Sequence, residues 1–342
     1  MTTPSLMLSE IREQPEALSR TIPKLRAQNS SVKKVARDCK RIVLFARGSS
    51  DNAAAYGLYT FPALTGRLAT LGTPSIATNY RTEIDLAGTL VIVISQSGQT
   101  QEIIETAQWS KSHGARVIGI TNFDDSPLAT IADEVLVTDA GPERAVPATK
   151  TFLTQLLAIA SICAALGDTE GIWKVIERLP QITADSLGYH SACSQIGSKL
   201  AEFPSCIVTS RGFATTVALE VALKLQEAAL LPALGLSRAD LVHGPAALLG
   251  PNCPALIFAA PTDPSTAPEL EKIAERCRVQ EAQVFTVGGQ NREMWPRSAD
   301  ATPAWICPFP LVVLGQQIAE AVAVQRGFDP DAPRHLTKVT QT

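Results

Sequence analysis

Aliphatic runs that do not alternate with polar residues recur along the chain, each closed by a small-residue turn and followed by a helix-forming stretch. Ile42-Val43-Leu44-Phe45-Ala46 runs into Arg47-Gly48-Ser49-Ser50-Asp51 and an alanine-rich segment. Leu90-Val91-Ile92-Val93-Ile94 runs into Ser95-Gln96-Ser97-Gly98-Gln99-Thr100 and a helical stretch at 102–113. Val117-Ile118-Gly119-Ile120 and Val135-Leu136-Val137 follow at similar intervals. Such runs predict strands buried on both faces, and helices between them predict parallel crossovers. The expected fold is α/β, a doubly wound parallel sheet of the flavodoxin-like α/β/α kind.

The pattern then repeats. Cys206-Ile207-Val208-Thr209-Ser210-Arg211-Gly212-Phe213 aligns with the 42–49 segment, placing Arg211-Gly212 on Arg47-Gly48. Later strands are expected at 255–260, 284–287 and Trp305-Ile306, with helices at 267–278 and 311–326. The expected organisation is therefore two tandem units. A helical N-terminal segment (1–30) leads into the first unit (31–170), a helical linker (171–199), the second unit (200–330) and a tail (331–342). The copies are unequal. Where the first carries the serine-rich turn, the second has Ala260-Pro261-Thr262-Asp263-Pro264-Ser265, without glycine.

With 342 residues, 45% hydrophobic and 18% charged, the chain can bury large cores and is too apolar to be disordered. A formal net charge of −3 argues against a broad nucleic-acid surface, which needs clustered Lys and Arg. The most apolar long run, 152–166, falls short of the roughly 20 residues of a membrane span, and the first residues lack a secretion signal. Seven cysteines without a Cys-x-x-Cys pair read as reduced thiols of a cytoplasmic protein. His190 and Cys193 alone have ligand spacing, with no second pair nearby, so no metal is expected.

The 95–100 turn sits where open α/β sheets bind ligands, between a strand and a helix N-terminus. Its hydroxyls and Gly98 suit a phosphate, although Ser and Thr there also cap helices with no ligand present. Neither a Walker lysine nor Gly-x-Gly-x-x-Gly follows, so a small phosphate ester is expected rather than a nucleotide. Gly48-Ser49-Ser50 would lie beside it. On the segment 218–227, Glu220, Lys224 and Glu227 fall on one helix face. That stripe is either a solvated ion-pair row or, given the apolar neighbours, a proton-handling face in a cleft. His243 before Gly244-Pro245 is a base candidate or a satisfied core histidine, and Lys338 is a site group or part of a frayed end.

Taken together, Ser-Gln-Ser-Gly-x-Thr, Ala145-Val146-Pro147-Ala148-Thr149-Lys150, Glu220-x-x-x-Lys224-x-x-Glu227, His243-Gly244-Pro245 and a C-terminal lysine resemble the sugar isomerase (SIS) family. More narrowly the chain is similar to the isomerase half of glucosamine-6-phosphate synthases and their stand-alone relatives, beginning with the 10–15 segment. The Arg47-to-Asp51 turn and the C-terminal end look most like the deaminase branch. The resemblance implies sugar-phosphate contacts from Gly48, Ser49, Ser50, Ser95, Gln96, Ser97, Thr100, Ala148 and Thr337, and from Val146 through its backbone. It implies Glu227 as the C1–C2 proton shuttle, His243 as the ring-opening residue, Lys338 as the amine at the open-chain sugar, and Glu220 with Lys224 in support.

Met1 is followed by Thr2, and the isomerase-like segment begins almost at once, so amination from glutamine is not expected. The implied reaction converts glucosamine 6-phosphate and water to fructose 6-phosphate and ammonia, without a cofactor. The alternatives are a fructosamine-6-phosphate deglycase, an aldose–ketose isomerase or a non-catalytic sugar-phosphate sensor. The resemblance also implies a homodimer in which the histidine enters from a second subunit. Two departures stand out: Asp240 where relatives carry Glu, and Arg47 where the synthase carries cysteine.

Overall fold

The aliphatic runs form strands because their side chains have apolar neighbours on both sides. The computed structural model describes residues 4–338, so positions 339–342 of the expected tail lie outside the described residues. Five strands, β1 (Arg41–Phe45), β2 (Ala69–Leu71), β3 (Thr89–Ile94), β4 (Arg116–Thr121) and β5 (Glu134–Val137), make one sheet in the order β2-β1-β3-β4-β5. Every pairing is parallel, with Ile42 opposite Leu90 and Leu90 opposite Arg116. All six residues of the central β3 are buried. One face packs Phe45, Val91, Val93 and Val117 against Ile103 and Ala107 of the helix Gln101–Ser112. The helix Lys150–Leu166, buried at all but its last residue, belongs to the same unit and packs on the helix Ser49–Thr65.

A second sheet contains β6 (Cys206–Ser210), β7 (Ala233–Ser237), β8 (Ala255–Ala259) and β9 (Val284–Gly288), in the order β7-β6-β8-β9, again all parallel. That order repeats the first four strands of the other sheet. Ile207, Ala255 and Ile257 pack on Leu270, Ile273 and Cys277 of the helix Ala267–Val279. The helices Thr215–Ala229 and Pro308–Gln325 pack on one another in the same unit. The stretch Ala304–Gln325 is long and apolar enough to cross a membrane, with mean hydropathy 1.4, but it is almost wholly buried as a core helix.

Trp305-Ile306 is not a strand. Pro303 stands before it and Pro308 opens the long helix, so Ala304–Ile306 tightens into a 3-10 turn instead. Between the sheets in sequence run the helices Thr169–Ile176, Leu179–Leu187 and His190–Leu200.

The chain divides into two interleaved compact units. The five-stranded unit holds Glu16–Glu143 and Lys150–Arg178, whereas the four-stranded unit holds the first helix (Leu6–Arg12), Arg144–Thr149 and Leu179–Lys338.

Candidate active site

In the five-stranded unit β1 and β3 are neighbours, so the turns leaving their C-terminal ends share one edge of the sheet. After β3 the chain turns tightly at Gly98, whose φ of +62° an L-residue adopts only with strain, and where a Cβ would run into Ser126 and Thr121. The Ser95 hydroxyl accepts the Gly98 N–H at 3.1 Å and the Ser97 hydroxyl accepts the Gln99 N–H at 3.2 Å. Ser95 Oγ lies 3.5 Å from Thr100 Oγ1. Ser95 and Ser97 are buried, and Gln96, partly exposed, accepts the Asn122 N–H through its carbonyl at 3.0 Å. Thr100 is the N-cap of the helix Gln101–Ser112 but makes no side-chain cap bond, so no hydroxyl of its own covers the first-turn N–H groups.

After β1, Gly48 (φ +57°) opens the helix Ser49–Thr65. The hydroxyl of Ser50, second in that helix, accepts from Gln155 Nε2 at 3.0 Å. Arg47 grips Glu102, in the first turn of the neighbouring helix, through two hydrogen bonds of 2.8 Å. Burial raises the pKa of the Asp51 carboxyl, against the opposing pull of Arg47. Hydroxyls and a helix N-terminus thus share one edge, chemistry that suits a phosphate dianion, while the Arg47 guanidinium is paired with Glu102.

In the four-stranded unit the helix Thr215–Ala229 carries the predicted charged stripe. It is not a solvated face: Glu220 and Lys224 have side-chain exposures of 0% and 1%, and Glu227 of 23%. Lys224 Nζ lies 2.5 Å from Glu227 Oε2 and 3.4 Å from Glu220 Oε1. Burial pulls the Lys224 pKa down, but the two carboxylates more than reverse this and raise it, so the ammonium stays charged. The pair uses Oε2 of Glu227 and leaves Oε1 outside it, on the one member of the trio that meets solvent.

The segment Arg144–Thr149 forms a strap in this unit. Lys338 Nζ donates to the Ala145 carbonyl at 2.7 Å, and the Val146 N–H donates to the Asp331 carbonyl at 2.9 Å. The Val146 N–H is therefore taken, and its carbonyl is the backbone group left for a ligand. Ala148 is half-buried and Thr337 exposed. His243 is exposed at the C-cap of the short helix Arg238–Val242, so it is not a core histidine. Among the described residues no hydrogen bond or ion pair joins it to Glu227. Asp240, in that helix, accepts from the Ser237 hydroxyl at 2.5 Å.

The structure thus brings together Gly48, Ser49 and Ser50 with the 95–100 turn, Glu220 with Lys224 and Glu227, and Val146 with Lys338. Sequence reasoning missed Gln155, Asp331 and the supporting role of Glu10. Only Glu10 carried a signal, within the 10–15 segment. Among the described residues no three His, Cys, Asp or Glu side chains gather as a metal ion would need.

A model of the SIS domain matches residues 36–165, the span that carries β1 to β5 and the serine turn. A solved structure from Silicibacter pomeroyi, provisionally assigned as a phosphosugar isomerase, is 30% identical, with a TM-score of 0.84 over 96% of this chain and 100% of its own. The chain belongs to the SIS family. Among curated SIS relatives, glutamine–fructose-6-phosphate aminotransferase (isomerizing) of Pyrococcus horikoshii is 33% identical over 97% of this chain and 57% of its own length. The chain spans a little over half the length of the curated relatives it matches. Glucosamine-6-phosphate deaminase of Thermotoga maritima shares the SIS fold, at a TM-score of 0.78 and 22% identity over 99% of this chain and 100% of its own.

Proposed function

We propose that this SIS protein is a glucosamine-6-phosphate deaminase, releasing fructose 6-phosphate and ammonia from glucosamine 6-phosphate and water. The observation that carries this reading is Glu227: one carboxylate left partly open to solvent and oriented by a buried, permanently charged ammonium. A proton shuttle between adjacent carbons needs that combination of a fixed base and an open face.

In the proposed reaction the 95–100 and 48–50 turns hold the phosphate, and His243 assists ring opening. The C1 aldehyde acidifies the C2 hydrogen, which Glu227 takes as a proton, leaving a C1=C2 enolamine. Returning that proton to C1 moves the double bond to C2=N. Water adds at C2, the C–N bond breaks, and ammonia leaves as the ketone forms. Lys338 contacts the open-chain sugar. The balance is one water in and one ammonia out, with no change of oxidation state overall.

Deamination is preferred to isomerisation alone because the turn from Arg47 to Asp51 resembles the deaminase branch. Isomerisation of a phosphosugar, or deglycation, is the second reading, favoured by the likeness to enzymes named isomerizing. The same proposal divides the chain into two SIS copies (31–170 and 200–330), a helical segment (1–30), a linker (171–199) and a tail (331–342). It makes the working form a homodimer with His243 supplied across the interface. The seven free cysteines suit a reducing cytoplasm, with burial pushing Cys193 and Cys206 up to about 12.

Incubating the purified protein with glucosamine 6-phosphate and measuring ammonia tests the proposal directly. Stoichiometric ammonia and fructose 6-phosphate are expected. Ketose phosphate or free amino acid without ammonia, from a panel of aldose and fructosamine 6-phosphates, would replace deamination with the second reading.

A further inference from the structure

The strap that carries Val146 and receives Lys338 is bonded by residues far from it in sequence. Glu10, on the first helix (Leu6–Arg12), is 4% exposed and spends both carboxylate oxygens on it. Oε1 accepts the Arg144 N–H at 2.5 Å and Oε2 accepts the Ala145 N–H at 3.3 Å. Ala145 is thereby gripped at both ends, its N–H by Glu10 and its carbonyl by the Lys338 ammonium.

The next links point the same way. Asp331, whose carbonyl takes the Val146 N–H, also caps the first helix, its carboxylate accepting from the Leu6 and Met7 N–H groups at 2.8 and 2.7 Å. At the far end of the strap, Gln316 donates to the Thr149 carbonyl at 3.2 Å and accepts from Gln14 at 2.9 Å. A buried carboxylate is tolerated when its oxygens are filled by strong donors, and charge-assisted bonds to backbone N–H are among the stiffest available. With both oxygens so used, Glu10 is placed to hold backbone rather than to move protons.

We propose that Glu10 is a positioning residue of the active site, setting the place of the Lys338 ammonium and the Val146 carbonyl by clamping Arg144-Ala145. This rests on the proposed role of Lys338 at the substrate. It adds a determinant more than a hundred residues away in sequence from the groups it controls.

The test uses Glu10→Ala and Glu10→Gln, with Ser5→Ala as control. Ser5 caps the same helix, accepting the Leu8 N–H at 3.0 Å and donating to Glu320 at 2.8 Å, and among the described residues has no hydrogen bond to the strap. First, trinitrobenzenesulfonate labelling of Lys338 is timed by peptide mass spectrometry, a readout independent of any substrate. Faster labelling by about threefold or more in Glu10→Ala, an intermediate rate in Glu10→Gln and a near wild-type rate in Ser5→Ala are expected. Second, kcat for ammonia release should fall about tenfold in Glu10→Ala, with little change in KM and partial rescue by Gln, which keeps one acceptor.

Lys338 labelling within threefold of wild type in both Glu10 variants overturns the proposal, as does an equal acceleration in Ser5→Ala. If the wild-type protein releases no ammonia, the functional reading fails while the labelling comparison still decides the role of Glu10. Should Glu10→Ala not fold, Glu10→Gln alone carries both measurements.

Discussion

Lys224 is the residue on which the charged trio depends. Its ammonium is buried between Glu220, which meets no solvent, and Glu227, which meets some. Removing the cation takes away the ammonium that faces buried Glu220 inside the helix packing. Lys224→Met should therefore cost about 3–5 kcal/mol in chemical denaturation, the usual cost of breaking a buried pair from one side. Glu227→Gln should behave in the opposite sense. An amide oxygen still accepts from Lys224 and the partly exposed site tolerates the loss of charge, so stability should stay within about 1 kcal/mol of wild type. Turnover should fall by about 10²–10⁴, the range general acid–base groups contribute. A Glu227→Gln protein that keeps full turnover, measured as ammonia per active site, would remove the carboxylate from the reaction.

At the scale of elements, the turn after β3 is the feature least able to absorb change. Gly98→Ala sets a Cβ against Ser126 and Thr121 at a positive φ. The strain of a left-handed alanine alone is about 1–2 kcal/mol. Relief by shifting the turn would move the Ser95 and Ser97 hydroxyls, so thermal stability should drop and KM for the sugar phosphate should rise about tenfold or more. Unchanged KM would mean that this turn does not hold the phosphate.

The turn and its flanking strands were legible because β3 is buried on both faces and its pattern of Val and Ile is local. β2 was not, being a three-residue edge strand with little burial, and neither was β7, where Gly235 interrupts a short, half-exposed run. Trp305-Ile306 reads as strand by composition, and only its bracketing prolines say otherwise. The stripe of Glu220, Lys224 and Glu227 was legible from helical spacing, but its burial was not. The apolar residues around it do not say which side faces the core. Glu10, Asp331 and Gln316 act on residues 134 or more positions away, so even where Glu10 stands in a recognisable segment the sequence does not show what it holds.

At the scale of the whole molecule, two sheets with the same order of four strands carry different side chains. The serine turn and its helix N-terminus stand in the five-stranded unit, and the charged trio stands in the four-stranded one. His243 belongs to the four-stranded unit too, yet it is exposed on a short helix end and, among the described residues, has no hydrogen bond or ion pair to Glu227. In the proposed homodimer His243 serves the site of the second copy, and an assembly with twofold symmetry would deliver it twice.

Mixing two inactive variants decides this. Glu227→Gln retains His243, and His243→Ala retains Glu227. If the two groups meet across an interface, a mixed dimer contains one site with both groups and one with neither. Random exchange at equal proportions makes half the dimers mixed, so about one quarter of wild-type activity should return. If both groups act within one subunit, every site in the mixture lacks one of them and no activity returns. Ammonia release measured after unfolding and refolding the two variants together, against each refolded alone, separates the two arrangements without needing a structure of the assembly.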